Sequence, residues 1–529
     1  MKRYYKGVCA LVLAALLAVA LLSPAAYGAE AKTLAGKAAF ASSSDAMGVS
    51  EKSAPLTVPY SYSDAWFAEP ATAYNHELAR MSLLLSNTAW TASPATWERN
   101  ANSPILDKTG YTRGAEYLQK LYKDLGYKPL RYCNYETPLD DESDKVAFGL
   151  AEKRLKLGDK DCVILALAIR GGNYGGEWVS NGNVGDGANH AGFEAAAAEV
   201  LRETEKIIAA YGGNLRVKVW ITGYSRGGSV GNLVAAALDR AVAEGKSALQ
   251  KDNLFAYNFA VPLCTKDPEA QNAIYSNIFN IINPVDVIMI APFRAWGFGR
   301  YGVEKYLEFL EPGTAYDALD AEYTKLFAGI SDATFDLHPV TWEQFRTLYL
   351  IDAIAPALMT STAGLMPLQP GMQGLIRSFF VQGTLMPDIE AGNWQGAYEG
   401  ILGEDIIWAP ALGMSARLAG PLNAALGLFG VDPVDPGLLS FILCIGGRAA
   451  GSISQSGSAP SGAGIAAALP IIVRALVRWA MAAPEGEASA QGFVDNIIVA
   501  HSAESYMLLM SQPEGKAFGT GETHGLKVS

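Results

Sequence analysis

Apolar and polar positions divide the chain into stretches of different rhythm. A basic start (Lys2, Arg3, Lys6) is followed by an uncharged apolar run from Gly7 to Leu22, then Pro24 and the small residues Ala26, Gly28 and Ala29. After an Ala-, Ser- and Lys-rich stretch, NHELARMSLLLSNTAW and TRGAEYLQKLYKDLGY carry the apolar spacing of two helices, the second stopped by Gly126. A strand–helix alternation then begins. CVILALAI (Cys162 to Ile169), VKVWIT (Val217 to Thr222), LFAYNFAVP (Leu254 to Pro262) and IFNIIN (Ile278 to Asn283) are short, wholly apolar runs. Between them, Gly192 to Gly213 and 226–243 read as helices. Apolar strands of this kind alternating with helices predict a mostly parallel sheet covered on both faces. Past about residue 310 the rhythm breaks into Pro- and Gly-interrupted apolar helical stretches and a low-complexity Gly/Ser segment (451–464). A last strand is expected at FVDNIIVA (Phe493 to Ala500), followed by a helix in SAESYMLLM.

These patterns divide 529 residues into a signal peptide (1–28), a flexible N-terminus (29–58), a core (59–310), a helical insertion (311–485), the core's closing elements (486–512) and a tail (513–529). The N-terminal layout is that of a secretory signal peptide, which makes the protein secreted or cell-surface; the alternative is an uncleaved anchor. Its apolar run is shorter than the ~20 residues that span a bilayer. Arg474, Arg478 and Pro470 argue against a membrane span in Ile465 to Ala483.

Half the residues are apolar and 18% are charged, which excludes a disordered chain. The net charge of −12 speaks against nucleic acid as a partner, since phosphate demands a basic face. Cys133, Cys162, Cys264 and Cys444 are widely spaced with no CxxC, so neither a zinc site nor a disulfide scaffold is expected; one disulfide or buried free thiols both fit. Neither a cofactor nor a metal is expected, and the oligomeric state is left open.

The chemistry concentrates at ITGYSRGGSVG, which holds two overlapping G-x-S-x-G matches. Such a match is weak by itself, and context separates the serines. A nucleophile elbow needs a buried strand before the serine, a helix after it and small residues around the strained turn. Ser225, between Gly223 and Gly227, meets this; Ser229 falls inside the helix and reads as a packing residue. Serine needs a base oriented by an acid, in the chain order Ser, Asp or Glu, His. Asp286, after the apolar strand and a Pro turn, is the candidate acid; the plain alternative is a turn carboxylate. Order excludes His76 and His190 as base, and His524 lies in a polar tail. His501, after the last expected strand, is favoured over His338, which sits in the insertion. The developing oxyanion needs backbone donors: the N–H of Arg226, directly after the nucleophile, and one from the Gly-rich loop after the first strand, best placed at Gly172. No GxxxxGK[ST] is present, so that loop is not read as a phosphate cradle.

The segments IRGG, EWVSN, HAGF, ITGYSRGG, FAVP, NPVDVIMIAP and HSAESY fall in the order found in class 3 (fungal-type) lipases. The chain resembles that family, and more closely its secreted bacterial branch, over about residues 60–305 and 490–510. The resemblance implies an α/β-hydrolase fold and ester hydrolysis through an acyl-enzyme, with acylglycerols or related lipids as substrates at a lipid–water interface. It implies Ser225 as nucleophile, Asp286 as acid and His501 as base. Two positions depart from the pattern: Tyr224 stands where histidine is usual, and Gly172 replaces the hydroxyl residue of the oxyanion loop. The insertion is not covered by the resemblance; a cap or lid and a helical subdomain that only packs on the core are both open readings. A scaffold without catalysis, and an acyltransferase or phospholipase using the same residues, are the alternatives in function.

Overall fold

The computed structural model describes residues 31–41, 55–90, 115–135, 144–172, 177, 180–211, 216–284, 286–292, 294, 297–308, 318, 321, 388, 391–402, 408–427, 433, 435–441, 444 and 500–519. Its centre is a sheet of seven strands in the order β3-β4-β5-β6-β7-β8-β9. These are β3 (Lys128–Cys133), β4 (Phe148–Leu157), β5 (Lys160–Ile169), β6 (Arg216–Tyr224), β7 (Leu254–Phe259), β8 (Ile278–Ile282) and β9 (Val303–Tyr306). β3, β4 and β5 pair antiparallel, and β5 through β9 run parallel.

The apolar runs become central strands because both of their faces are covered. Ile164, Ala166 and Ala168 of β5 share one face with Trp220, Tyr257 and Phe279. Val163, Leu165, Leu167 and Ile169 share the other with Val219, Ile221 and Ala256. The first face is packed by α1 (His76–Thr88), α2 (Glu116–Asp124) and, farther along the chain, α7 (Ala503–Met510). The second is packed by α3 (Ala191–Ala210) and α4 (Arg226–Ala243), which make the crossovers from β5 to β6 and from β6 to β7. α1 starts at Asn75, whose side chain accepts from the Leu78 N–H at 2.9 Å. It is keyed to the sheet through Ser82: the Trp220 indole donates to the Ser82 hydroxyl at 2.7 Å, and the Thr222 hydroxyl donates to the Ser82 carbonyl at 2.9 Å. A mostly parallel sheet sandwiched in this way, with a strand–turn–helix junction at β6, is the α/β-hydrolase fold.

The segment 29–58, expected to be a flexible N-terminus, instead contributes a strand. β1 (Thr33–Phe40) pairs antiparallel with β2 (Leu56–Ser63), from Thr33 opposite Ser63 to Phe40 opposite Leu56. Its small residues hide the period-two burial that places Ala38, Phe40 and Leu56 in the core. Asp64, just after β2, fastens the hairpin to the sheet by accepting from Lys153 Nζ at 2.7 Å and from the Lys32 N–H at 3.0 Å. β3, β4 and β9 were not foreseen either. Their apolar positions are interrupted by Lys, Arg and Glu, as befits strands at or near the sheet's edges.

Within 311–485, the described residues include α5 (Trp394–Leu402) and α6 (Trp408–Gly427), the latter with Pro421 inside it. The expected strand Phe493 to Ala500 lies outside the described residues except for Ala500, as do the segment 1–28, the linker 451–464, His338 and His524. Among the described residues, no helix is long and apolar enough to cross a membrane.

α4 also carries a buried carboxyl. Asp239 is 2% exposed, and its Oδ1 accepts from Asn277 Nδ2 at 3.2 Å. Burial pushes its pKa up to about 8, against the lowering effects of the Asn277 hydrogen bond and Lys251. A carboxyl with a raised folded-state pKa binds its proton more tightly in the fold, so stability declines as pH climbs from the unfolded value toward about 8. Asp239→Asn, neutral at every pH, is expected to abolish that decline. Thermal melts of both proteins between pH 5 and 8 should diverge, with the variant holding its Tm better at the alkaline end.

Candidate active site

β6 ends in the turn that presents Ser225. Its backbone takes φ 53° and ψ −125°, a conformation disfavoured for any residue with a side chain. Close approach on both sides imposes it. A Cβ on Gly223 would run into the Gly227 carbonyl, and one on Gly227 would lie 2.5 Å from the carbonyl oxygens of Ile169 and Arg170. Helix α4 therefore starts in direct backbone contact with the ends of β5 and β6. The turn is held by the Ser225 N–H donating to the Phe259 carbonyl at 2.9 Å, and by the Gly228 and Ser229 N–H groups donating back to the Ser225 carbonyl. Ser229 is fully buried, and its hydroxyl donates to the Pro262 carbonyl at 3.0 Å, a packing role.

Asp286 follows β8. Its Oδ1 accepts from the Ile288 N–H at 3.0 Å, capping the short turn Val287–Ile290. Its Oδ2 accepts from His501 Nδ1 at 2.8 Å and from the Tyr506 hydroxyl at 2.9 Å. With the proton on Nδ1, His501 Nε2 is left to accept from the Ser225 hydroxyl at 2.9 Å. Ser225, Asp286 and His501 are 5%, 1% and 4% exposed, so this relay lies in a largely dry environment. The other two described histidines lie elsewhere. His190 caps α3, stacks on Phe193 with ring centroids 3.8 Å apart, and is driven down to about 3 by burial, hence neutral. His76 joins the Tyr74 hydroxyl to the carbonyls of Met510 and Gln512.

Three residues outside the expected set hold the relay together. The Tyr224 hydroxyl donates to the His501 carbonyl at 3.1 Å, and its ring meets Tyr506 edge-on at 5.4 Å. Tyr506 receives the Asn283 N–H at 2.9 Å while donating to Asp286. Burial, and then the Asp286 charge, push the Tyr506 hydroxyl well above its usual pKa, so it remains a donor. Asn283 Nδ2 donates to the Ala500 carbonyl at 3.0 Å. Tyr224 and Tyr506 stood inside quoted motifs, but an aromatic in a strand or helix signals core before it signals a hydroxyl in use.

Gly172 is buried at the end of the segment after β5, and Arg226 is the first residue of α4, where the N–H takes no part in the helix's own ladder. The Arg226 side chain is drawn away, donating to Asn181 Oδ1 at 3.0 Å and to the Lys145 carbonyl at 2.9 Å. Arg170 forms a buried ion pair with Glu177 at 3.0 Å, bracing the same loop. The four described cysteines are free thiols, and no metal-binding group of three or more His, Cys, Asp or Glu occurs among the described residues.

Residues 166–296, which span β5 to just past Asp286, match the family model "Lipase (class 3)". The matched segment is class 3 lipase-like. This supports a lipase-type hydrolase acting on esters. Among solved structures, the chain is similar to the triacylglyceride lipase of Rhizomucor miehei at 18% identity, over 44% of this chain and 79% of that one, with a TM-score of 0.30. It is similar to a lipase from Rhizopus microsporus var. chinensis at 18% identity, over 41% and 76% of the two chains, with a TM-score of 0.26. A third similar structure is a triacylglycerol lipase described as having a serine-protease triad as its catalytic centre, at 20% identity over 44% and 79%, with a TM-score of 0.30. No curated protein matches the chain.

Removing the Tyr506 hydroxyl takes a charge-assisted donor from a buried carboxylate. Tyr506→Phe is therefore expected to lower stability at pH 7 by about 1.5–3 kcal/mol, and Tyr224→Phe, which strips a neutral carbonyl, by about 1 kcal/mol. Urea unfolding followed by tryptophan fluorescence measures both.

Proposed function

We propose that the protein is a secreted serine hydrolase that cleaves carboxylic esters of lipids through an acyl-enzyme on Ser225. The hydrogen-bonded line from Asp286 through His501 to Ser225, seated on a strained elbow, is the observation that carries this reading. His501 Nε2 takes the hydroxyl proton as Ser225 Oγ attacks the ester carbonyl. Asp286 holds the imidazole in the Nδ1–H tautomer and stabilises the imidazolium. The backbone N–H groups of Arg226 and Gly172 bind the oxyanion, and glycine at 172 means that the loop supplies a backbone donor alone at that residue. The protonated His501 then gives its proton to the departing alkoxide. Water, deprotonated by the same nitrogen, attacks the acyl-enzyme and releases the acid. Export is supported by the basic, apolar and small-residue layout of residues 1–28. A lipid substrate is supported by the class 3 lipase match over residues 166–296.

The test uses nitrophenyl esters of short and long acyl chains. Ser225→Ala and His501→Ala should each lower kcat by about 10⁶-fold, and Asp286→Asn by about 10⁴-fold. A fluorophosphonate should form one adduct at Ser225, read by mass spectrometry. Wild-type turnover by Ser225→Ala would refute the assignment.

A further inference from the structure

We propose that the indole N–H of Trp90 is a further catalytic donor, hydrogen-bonding the acyl carbonyl oxygen of the substrate beside Gly172; this rests on the serine-hydrolase reading above. Trp90 stands just past the end of α1, its own N–H donating to the Asn87 carbonyl at 3.1 Å, which fixes the residue's backbone. The side chain is 3% exposed, and its Nε1 has no hydrogen-bond partner. A buried donor without an acceptor is costly, and one kept in a native structure calls for an explanation, a catalytic role among them.

The position of the ring says which ligand. A Cβ on Gly171 would strike Trp90 at Nε1, Cε2 and Cζ2, so the N–H-bearing edge of the indole lies directly against the backbone of the residue before Gly172. The ring also meets Tyr224 edge-on at 5.4 Å, with an interplanar angle of 73°. Tyr224 precedes Ser225 and holds the His501 carbonyl. Trp90 thus touches the oxyanion segment on one side and the elbow on the other. Gly171 is required by this arrangement, since any side chain there would expel the indole.

The proposal also accounts for a deficit. Glycine at 172 brings no side-chain donor to the loop. An indole N–H is a donor with no acceptor capacity, so it favours a developing oxyanion without competing for the Ser225 proton. Its location just past α1, packed into the core, fixes it before substrate arrives, which is the condition for strong transition-state stabilisation.

Trp90→Phe keeps the ring and removes the N–H. It should lower kcat on nitrophenyl esters by about 10²-fold, with KM little changed, because the bond strengthens as charge develops. Wild-type kcat in the variant would overturn the proposal. A second measurement does not depend on how well the variant folds. In wild-type protein labelled with ¹⁵N-tryptophan, the Trp90 indole N–H is assigned through its contact with the Gly171 α-protons. Phosphonylation of Ser225, in which Oγ displaces fluoride from a fluorophosphonate and leaves a phosphoryl oxygen at the oxyanion position, should move that resonance downfield. A labelled Ser225 with an unmoved indole would defeat this inference alone. Failure of the reagent to label Ser225 would defeat both it and the function it rests on.

Discussion

Everything at the site depends on a contact made without side chains. α4 begins in direct touch with the carbonyls that end β5 and with the last turn of β6, a distance that only Gly223 and Gly227 allow. With the helix that close, the chain must reverse within one residue, and Ser225 takes the positive φ that follows. Such a backbone costs about 1–3 kcal/mol and persists only when its surroundings dictate it. Here they do: β7 accepts the Ser225 N–H through Phe259, and the first turn of α4 returns two N–H groups to the Ser225 carbonyl. The same contact brings the end of the β5 segment, and with it Gly172, level with the start of the helix. The proposed nucleophile and both proposed oxyanion donors are thus positioned by one packing event.

The proposed acid and base, Asp286 and His501, reach this point by another route. His501 is 215 residues from Asp286 and 276 from Ser225. Even for a wholly flexible connection, loop-closure entropy grows only by about 0.6 kcal/mol per doubling of length. Stretching a connection of about 27 residues to this one is three doublings, or about 2 kcal/mol. Asn283 alone offsets much of that, because it ties Ala500 with its side chain and Tyr506 with its backbone. Tyr506 and Tyr224 add hydrogen bonds to Asp286 and to the His501 carbonyl. The acid loop and the base loop are stitched by local polar contacts, which makes a long insertion between them energetically tolerable.

What could be read from the residues follows from how far the physics reaches along the chain. The strands β5 to β8 were legible because burial on both faces leaves a continuous apolar run, and the elbow because its small residues and its serine are adjacent. Asp286 was legible from its place after a strand. β1 was not, since Thr33–Phe40 buries only small residues and one phenylalanine against a partner that begins 16 positions later, at Leu56. β3 and β4 were obscured by the charges that interrupt them, Arg131 in the first and Glu152, Lys153 and Arg154 in the second. Tyr224, Tyr506 and Trp90 escaped for a different reason. Each is a core residue by type, and its polar atom acquires meaning only through which residue it faces, as Tyr506 does 220 positions away at Asp286.

The histidines show how surroundings, not residue type, decide chemistry. His190 is fully enclosed, caps α3, stacks on Phe193 and is held far below its usual pKa by burial, so it cannot carry a proton near neutrality. His76 spends its ring on the Tyr74 hydroxyl and on two backbone carbonyls, which fixes α7 against α1. Among the described residues, His501 is the one imidazole with a carboxylate at one nitrogen and a hydroxyl at the other. That placement leaves Nε2 as the acceptor facing the Ser225 hydroxyl, the geometry that the proposed general-base role requires.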